Sequence, residues 1–449
     1  MLSKEDNELL CRVGPGTPMG DFFRQYWLPA LPSRDLPAPD CRPVRVRLLG
    51  ENLVAFRDSE GRVGLLQEHC PHRGASLYWG RNEECGLRCV YHGWKFDVSG
   101  RCVDMPNEPA ESTFKDKVRA KAYPCREVNH VIWTYMGPRA TPPPFPPFEV
   151  NTLPAEQVAP PHMMLAECNW LQALEGEIDS SHIDWVHARL NPEIGDYFRE
   201  KYPGAPPGTY NIDRRPRFEV LPTPYGGCYA AIRRWNKDEN LLWARITQFI
   251  FPAFAMIALM APNSVNMRIW LPLDDEHTLL FLSTARLDRP LTEEERRRQD
   301  DPFALLGGYL PKRGSDPFTR YLTVARKEND YNYDEELARR ELMVGLPFIG
   351  NIQDRMMTES MGPIFDRSQE HLGTTDAMVI YVRRQLLRAV KALRERGEVP
   401  ANVDDPSLNR VRAASVLFRP GENWIEVSEA ARNADAGVPT AWVPLFDAR

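Results

Sequence analysis

His69-Cys70-Pro71-His72-Arg73-Gly74, followed at a distance by Cys89-Val90-Tyr91-His92-Gly93-Trp94-Lys95-Phe96-Asp97, is the stretch around which this chain is organised. It holds Cys70-x-His72, a gap of 16 residues, and Cys89-x-x-His92. Two chemistries suit two thiolates and two imidazoles: a tetrahedral Cys₂His₂ zinc site, or a [2Fe–2S] cluster in which two His replace two Cys on one iron. Zinc fingers pair Cys with Cys and His with His, with the second pair on a helix. Here each pair mixes the two types, so each loop can give its sulfur to one iron and its nitrogen to the other. Gly74 and Gly93 follow the pairs and Pro71 lies inside the first, which lets the backbone turn tightly around a cluster. The spacing and flanks favour the cluster, with Cys70, His72, Cys89 and His92 as its ligands.

The chain has 449 residues, enough for two domains. A hydrophobic content of 43% and a charged content of 26% are those of a water-soluble globular protein. A net charge of −6 without a basic stripe argues against nucleic acid as a partner. The start, Met1 to Glu8, has neither the basic nor the apolar region of a secretory signal. The most apolar run, 246–261, is interrupted by Thr247, Gln248 and Pro252, so no membrane span is expected. A cytoplasmic protein with reduced thiols is the expectation. Cys85 lies between the ligand pairs and reads as a packed thiol.

Four regions follow from texture. Residues 1–40 read as a short helix and an arm. Residues 41–140 read as a small all-β domain: 44–48, 53–56 and 63–66 are short runs separated by turns at 50–52 and 58–61, and 131–135 closes the set. Residues 141–161 are a stiff connection, since 138–161 contain nine prolines. Phe145 and Phe148 suggest that it packs on something. Residues 162–449 form an α+β second domain of antiparallel strands and helices. Strands are expected at 218–221, 228–233, 241–250, 254–260, 266–271 and 279–285, a charged helix face or loop at 293–298, and an ambiguous helical segment at 328–341. A long helix is expected from about Thr375 to Arg396, with an apolar stripe of Val379, Val382, Leu386, Val390 and Leu393, capped by Thr374 or Thr375 and stopped by Gly397.

A second metal motif sits at Asp179-x-x-His182-x-x-x-x-His187, after the helical run of Trp170, Leu171, Leu174 and Ile178. Asp179 and His182 share a helix face. His187 joins them only if the helix ends or bends first. Two imidazoles and a carboxylate make the facial triad of non-haem Fe(II) oxygenases. The third ligand must come from elsewhere, and spacing leaves Asp354, Glu359, Asp366 and Glu370 open.

The two motifs together resemble those of Rieske non-haem iron aromatic-ring oxygenases, in their catalytic subunit. The loop at 70–77 and the tail Glu370-His-Leu-Gly-Thr-Thr-Asp376 are most similar to the phthalate dioxygenase and phenoxybenzoate dioxygenase branch. The resemblance implies a Rieske [2Fe–2S] domain, a catalytic domain with mononuclear Fe(II) and use of O₂. It implies electrons from NAD(P)H through a separate flavin and iron–sulfur reductase, and a homotrimer or stacked trimers. It selects Asp354, in Asp354-Arg355-Met356, as the third ligand. It also implies that Asp179 bonds His182 and, across a subunit interface, His92, and that Asn169 lies near the iron. The implied activity is hydroxylation of an aromatic, carboxylated substrate. O-dealkylation or ether cleavage is the alternative on the same metals, and an electron-carrying Rieske protein a third reading. Arg245, on one strand face with Trp243, Thr247 and Phe249, is the candidate clamp for the carboxylate, and Arg215 and Arg217 are second choices. His69, His130, His162, His277 and His371 match no ligand position.

Overall fold

The alternating apolar residues between 44 and 67 form the expected meander. Val44–Leu48, Glu51–Arg57 and Val63–Gln67 pair antiparallel in order, and Ala122–Tyr123 adds to the edge. A second four-stranded sheet runs Arg81–Glu83, Gly86–Arg88, Lys95–Phe96, Cys102–Asp104. Its strands are two or three residues long because they serve only to hold the ligand loops between them. Val54, Phe56, Leu66, Leu77, Trp94 and Phe96 bury around the two ligand-loop cysteines and fix both loops from beneath. The computed structural model describes residues 1–201, 209, 213–235, 237–258, 263–300, 308–311, 313–347 and 351–438.

Residues 27–32 fall in the stretch expected as an arm, but Trp27–Pro32 is a fully buried strand. It pairs with Val131–Tyr135, which pairs with Cys125–Val128. The physical reason is the partner. Val131–Tyr135 is buried at every position and needs a strand on both edges, and the aromatic run Phe22, Phe23, Tyr26, Trp27 supplies the apolar surface. Upstream, helix Lys4–Cys11 is capped by Ser3 and lies on the second domain, where Trp170 Nε1 donates to the Leu10 carbonyl.

The proline-rich connection is packed rather than free. Trp27 Nε1 donates to the Pro143 carbonyl, and the Phe145 ring meets Trp27 and Trp133 edge-on, each at 5.5 Å. The second domain is an antiparallel sheet in the order His162–Ala166, Thr278–Arg286, Ser264–Pro272, Phe254–Met256, Leu242–Ile250, Gly226–Arg234, Arg217–Thr223. Ala414–Phe418 takes the remaining length of the edge of Leu242–Ile250. All six expected strands are present; residue 260 lies outside the described residues. The charge run forms helix Glu293–Asp300, and the ambiguous segment resolves into a 3₁₀ stretch, Lys327–Asn332, and helix Glu335–Arg340.

Helix Ala377–Arg396 buries Val379, Val382, Leu386 and Val390 and stops at Gly397, whose φ of 67° is the left-handed stop. Each buried aliphatic contributes roughly 1.5–3 kcal/mol. Its start differs from expectation: Thr374–Asp376 form a 3₁₀ turn in which the Asp376 carboxylate accepts from Gly373 N–H, so neither threonine caps. Two helices set the catalytic geometry. Trp170–Ile178 packs on strand Ser264–Pro272, and Ile352–Ser360 packs on Trp170–Ile178.

Candidate metal centres and the arginine behind them

The two cysteine loops are the same turn built twice. Cys70 N–H donates to the Ala75 carbonyl and Gly74 N–H to the Cys70 carbonyl; Cys89 N–H donates to the Trp94 carbonyl and Gly93 N–H to the Cys89 carbonyl. Both glycines need positive φ, 76° at Gly74 and 81° at Gly93. A Cβ at Gly93 would also meet Pro106 at 2.6 Å, whereas one at Gly74 would meet nothing within 4 Å.

The sulfurs point inward and the imidazoles outward. Cys70 and Cys89 are buried beside each other, and burial pushes the Cys70 thiol up to about 11. His72 and His92 are half-exposed, with ring centroids 4.5 Å apart, and the exposed Tyr91 ring lies 3.9 Å from that of His92. Donors on one tetrahedral zinc lie about 3.5 Å from one another. Among the described residues, three or more His, Cys, Asp or Glu donors gather within 4.8 Å at one place only, and these four are not that place. They pair off two and two, as the two irons of a cluster require. Trp94 supports the site although it carries no ligand atom. It stacks on His72 at 4.2 Å and 13°, and its Nε1 donates to Asn107.

Among the described residues the convergent group is His182, His187 and Asp354. The helix ends at Ile178, Asp179 caps it with extended backbone, His182–Asp184 is a 3₁₀ turn, and His187 follows on irregular chain. The helix therefore stops before His187, which is the condition its spacing imposed. Asp354 comes from the first turn of helix Ile352–Ser360. One of its carboxylate oxygens lies 3.3 Å from His182 Nε2 and 2.9 Å from His187 Nε2. Each imidazole is held from behind through Nδ1: His182 by Asp179 at 3.4 Å, His187 by the Gln353 amide oxygen at 2.6 Å. Gln353 Nε2 donates in turn to the Leu346 carbonyl. Both rings therefore present Nε2 inward, the orientation a metal ligand needs. Two imidazoles and a carboxylate could hold a divalent iron with positions open. Burial disfavours a charged His182, but Asp179 and Asp354 outweigh it and raise its pKa to about 10. The Asp354 carboxyl is held far below its usual range despite burial by the two imidazoles.

The other three candidate carboxylates are committed elsewhere. Glu359 is buried, paired with Arg355 at 3.2 Å and bonded by the Tyr331 hydroxyl and Glu167 N–H. Asp366 is exposed and accepts from Ser368, and Glu370 pairs with Arg383. Gln353 could have been found by asking what precedes Asp354 on its helix.

Three expectations change. Asn169 is not near the triad: it caps the far end of helix Trp170–Ile178, accepting from Leu171 N–H and donating to the Cys11 and Asp275 carbonyls. The nine residues of helix Trp170–Ile178 separate it from Asp179, at about 1.5 Å each. Arg215 and Arg217 are exposed, and Arg217 pairs with Glu219 at 3.0 Å. A solvated, paired guanidinium has no desolvated face to offer a substrate.

Arg245 is different. It is 3% exposed and donates from Nη1 to Ser180 Oγ at 3.0 Å and from Nε to the Ala258 carbonyl at 3.3 Å. Ser180 adjoins Asp179, so this guanidinium lies directly behind the triad segment. Burial depresses its pKa below the usual range. Among the described residues, every other buried Arg or Lys (Arg24, Lys95, Arg233, Arg268, Arg355, Arg367, Arg383, Arg412) has a carboxylate partner; Arg245 has none.

Comparison with known proteins gives the following. Residues 134–438 match the family described as LigXa C-terminal domain like, and residues 26–124 the Rieske [2Fe-2S] domain. The chain is 41% identical over 418 residues to the 3-chlorobenzoate-3,4-dioxygenase oxygenase subunit of Comamonas testosteroni, covering 90% of this chain and 92% of that one. It is 39% identical over 408 residues to the phthalate 4,5-dioxygenase oxygenase subunit of Pseudomonas putida, covering 87% of each. It is 33% identical over 433 residues to the 5,5'-dehydrodivanillate O-demethylase oxygenase subunit of a Sphingobium species, covering 93% of this chain and 88% of that one. The terminal oxygenase of carbazole 1,9a-dioxygenase from Novosphingobium sp. KA1 shares the fold, with a TM-score of 0.54 at 19% identity over 87% of this chain and 99% of that one.

Proposed function

This chain belongs to the oxygenase subunits of the Rieske non-haem iron aromatic oxygenases, and we propose that it hydroxylates an aromatic substrate bearing a carboxylate. The observation that carries the reading is the convergence of His182, His187 and Asp354 in a chain that also has the paired Cys and His loops. Cys70, Cys89, His72 and His92 would hold the cluster, and His182, His187 and Asp354 would hold Fe(II). When bound, the cluster delivers electrons and the mononuclear iron supplies open positions where O₂ meets the ring.

The rest is work for side chains. Asp179 and Gln353 fix the tautomers of His182 and His187 and stop the rings turning. Asp179 is 25% exposed along its side chain and lines, with His182, Asp354, Val186 and Met357, a groove of about 250 Å³. In a homotrimer or stacked trimers the half-exposed His92 of a neighbouring subunit reaches Asp179 there, which gives electrons a short hydrogen-bonded route between subunits. Electrons arrive from NAD(P)H through a separate flavin and iron–sulfur reductase. Arg245 holds the substrate carboxylate: a buried guanidinium without an internal anion is stabilised by one from outside.

O-demethylation is the second reading, favoured by the 33% identity to an O-demethylase subunit. Metal analysis and labelled O₂ test both. Oxygenase chemistry requires about three irons per chain, against about two for a carrier of electrons alone. Turnover of benzoates, phthalates, phenoxybenzoates and methoxybenzoates under labelled O₂ then separates ring hydroxylation, with label in the ring product, from loss of an O-methyl group. Two irons and no product with any of them overturns the oxygenase reading.

A further inference from the structure

Two thioethers open onto the groove that holds two of the iron ligands. Helix Ile352–Ser360 carries Asp354 in its first turn. Met357 and Met361 follow at three and seven residues, on the same face, and Met361 is the cap at the far end. Both line the groove of about 250 Å³ together with Asp179, His182 and Asp354. Met357 is 37% exposed and Met361 47%, in a chain that buries Met19, Met163, Met164, Met256, Met267 and Met378. Met356 faces the other way and packs on the core of Tyr331, Leu346 and Ile352. The helix therefore turns one methionine inward and its neighbour toward the site.

Packing does not ask for sulfur at these positions, because leucine fills a methionine's volume at little cost. What the thioether adds is a sulfur that accepts an oxygen atom. Among the described residues no cysteine, tryptophan or tyrosine lines the groove, so the two sulfurs are its most readily oxidised groups. Met343 makes the comparison sharp. It is also 37% exposed, and its N–H donates to the Ala188 carbonyl, beside His187, yet it does not line the groove.

We propose that Met357 and Met361 are sacrificial oxidation sites, which take an oxygen atom from hydrogen peroxide released when O₂ is reduced at the triad without hydroxylating a substrate. The step balances with peroxide alone. One peroxide oxygen bonds the sulfur as the O–O bond breaks, and the other leaves as water with both protons. Sulfur loses two electrons and peroxide gains them. The imidazoles of His182 and His187 are spared, and methionine sulfoxide reductases restore the thioether. The proposal rests on the Fe(II) reading of the triad and goes beyond it. A neighbouring subunit seated over the groove shields these sulfurs from peroxide in bulk, but not from peroxide formed beneath it.

The test takes the purified full chain through cycles of reduction by dithionite and re-oxidation by air, without an aromatic substrate and with catalase to clear bulk peroxide. Sulfoxide at each methionine is read by peptide mass spectrometry. The chain is compared with Fe(II) in the triad and after chelation and reloading with zinc, which has no redox chemistry. With Fe(II), sulfoxide at Met357 and Met361 should exceed that at Met343 and Met356 by about 5-fold or more. With zinc, Met357 and Met343 should agree within about 2-fold. Met357→Leu/Met361→Leu should move oxidation to the His182 peptide and lower the Fe(II) rebound after the cycles by about 3-fold. Equal sulfoxide at Met343 and Met357 with Fe(II), the same excess with zinc, or a double variant that keeps its histidines and its Fe(II) as well as the wild type overturns this inference and leaves the oxygenase reading standing. A chain that takes up no iron beyond that of its cluster overturns both.

Discussion

The two candidate metal centres are made in opposite ways. The cluster loops lie within 25 consecutive residues, and each is a five-residue turn closed by its own backbone hydrogen bonds around a glycine of positive φ. The triad takes His182 and His187 from a chain reversal after one helix and Asp354 from another helix far along the sequence. Its orientation depends on Asp179, Gln353 and the packing of the two helices. A site built from local turns tolerates change elsewhere in the fold. A site built from packed elements inherits every disturbance of them.

The largest effects should separate the two outright. Cys70→Ser or Cys89→Ser should abolish the visible cluster spectrum, since thiolates hold the iron that lacks imidazole. His182→Ala or His187→Ala should abolish product yet leave that spectrum at wild-type intensity. A spectrum lost in the histidine variants would show that the centres are not independent.

Next comes the choice of carboxylate. Asp354→Ala should lower iron from about three to about two per chain. Glu359→Gln should keep the iron but destabilise the fold by about 3–5 kcal/mol in chemical unfolding, because it strips the buried Arg355 of its anion. The reverse pattern, iron lost with Glu359 and kept without Asp354, would make Glu359 the ligand.

A smaller effect should distinguish the supports of the two histidines. Gln353→Leu should weaken Fe(II) binding to the metal-free chain by about 10- to 100-fold, the usual effect of removing a ligand's hydrogen-bond partner. Asp179→Asn should retain both metals and slow electron transfer from cluster to iron in rapid-mixing experiments. A fully active monomer would sink the intersubunit route.

The smallest test lies inside the twin turns. Gly74→Ala and Gly93→Ala each force an L-residue into the left-handed region, at about 1–2 kcal/mol. Gly93→Ala should cost more, because its Cβ meets Pro106 at 2.6 Å. Equal melting temperatures for the two variants would mean that Pro106 yields.

Much of this was legible in one dimension. Period-two alternation shows strand Val44–Leu48, apolar runs between turns show the catalytic strands, and the 3.6-residue stripe shows helix Ala377–Arg396, because those patterns are burial written along the chain. The arm was misjudged over 27–32 because an all-buried strand has no alternation to read. Asn169 was placed at the iron by resemblance, and its side chain instead closes a helix end. Arg215 and Arg217 had the right chemistry and the wrong exposure.

By itself the sequence determined the ligand types and their local turns: Cys70-x-His72-x-Gly74 and Cys89-x-x-His92-Gly93 can close only by short-range hydrogen bonds, which spacing reveals. It also limited the third iron ligand to four carboxylates. The family resemblance points to Asp354, and the tertiary structure supplies the physical reason, turning Asp354 inward while Glu359, Asp366 and Glu370 meet other partners. Only the tertiary structure showed that Gln353 stands behind His187, and that among the described buried cations Arg245 alone lacks an anion. Pairing, desolvation and convergence are relations between residues distant in sequence, and they come into being when helices and sheet pack.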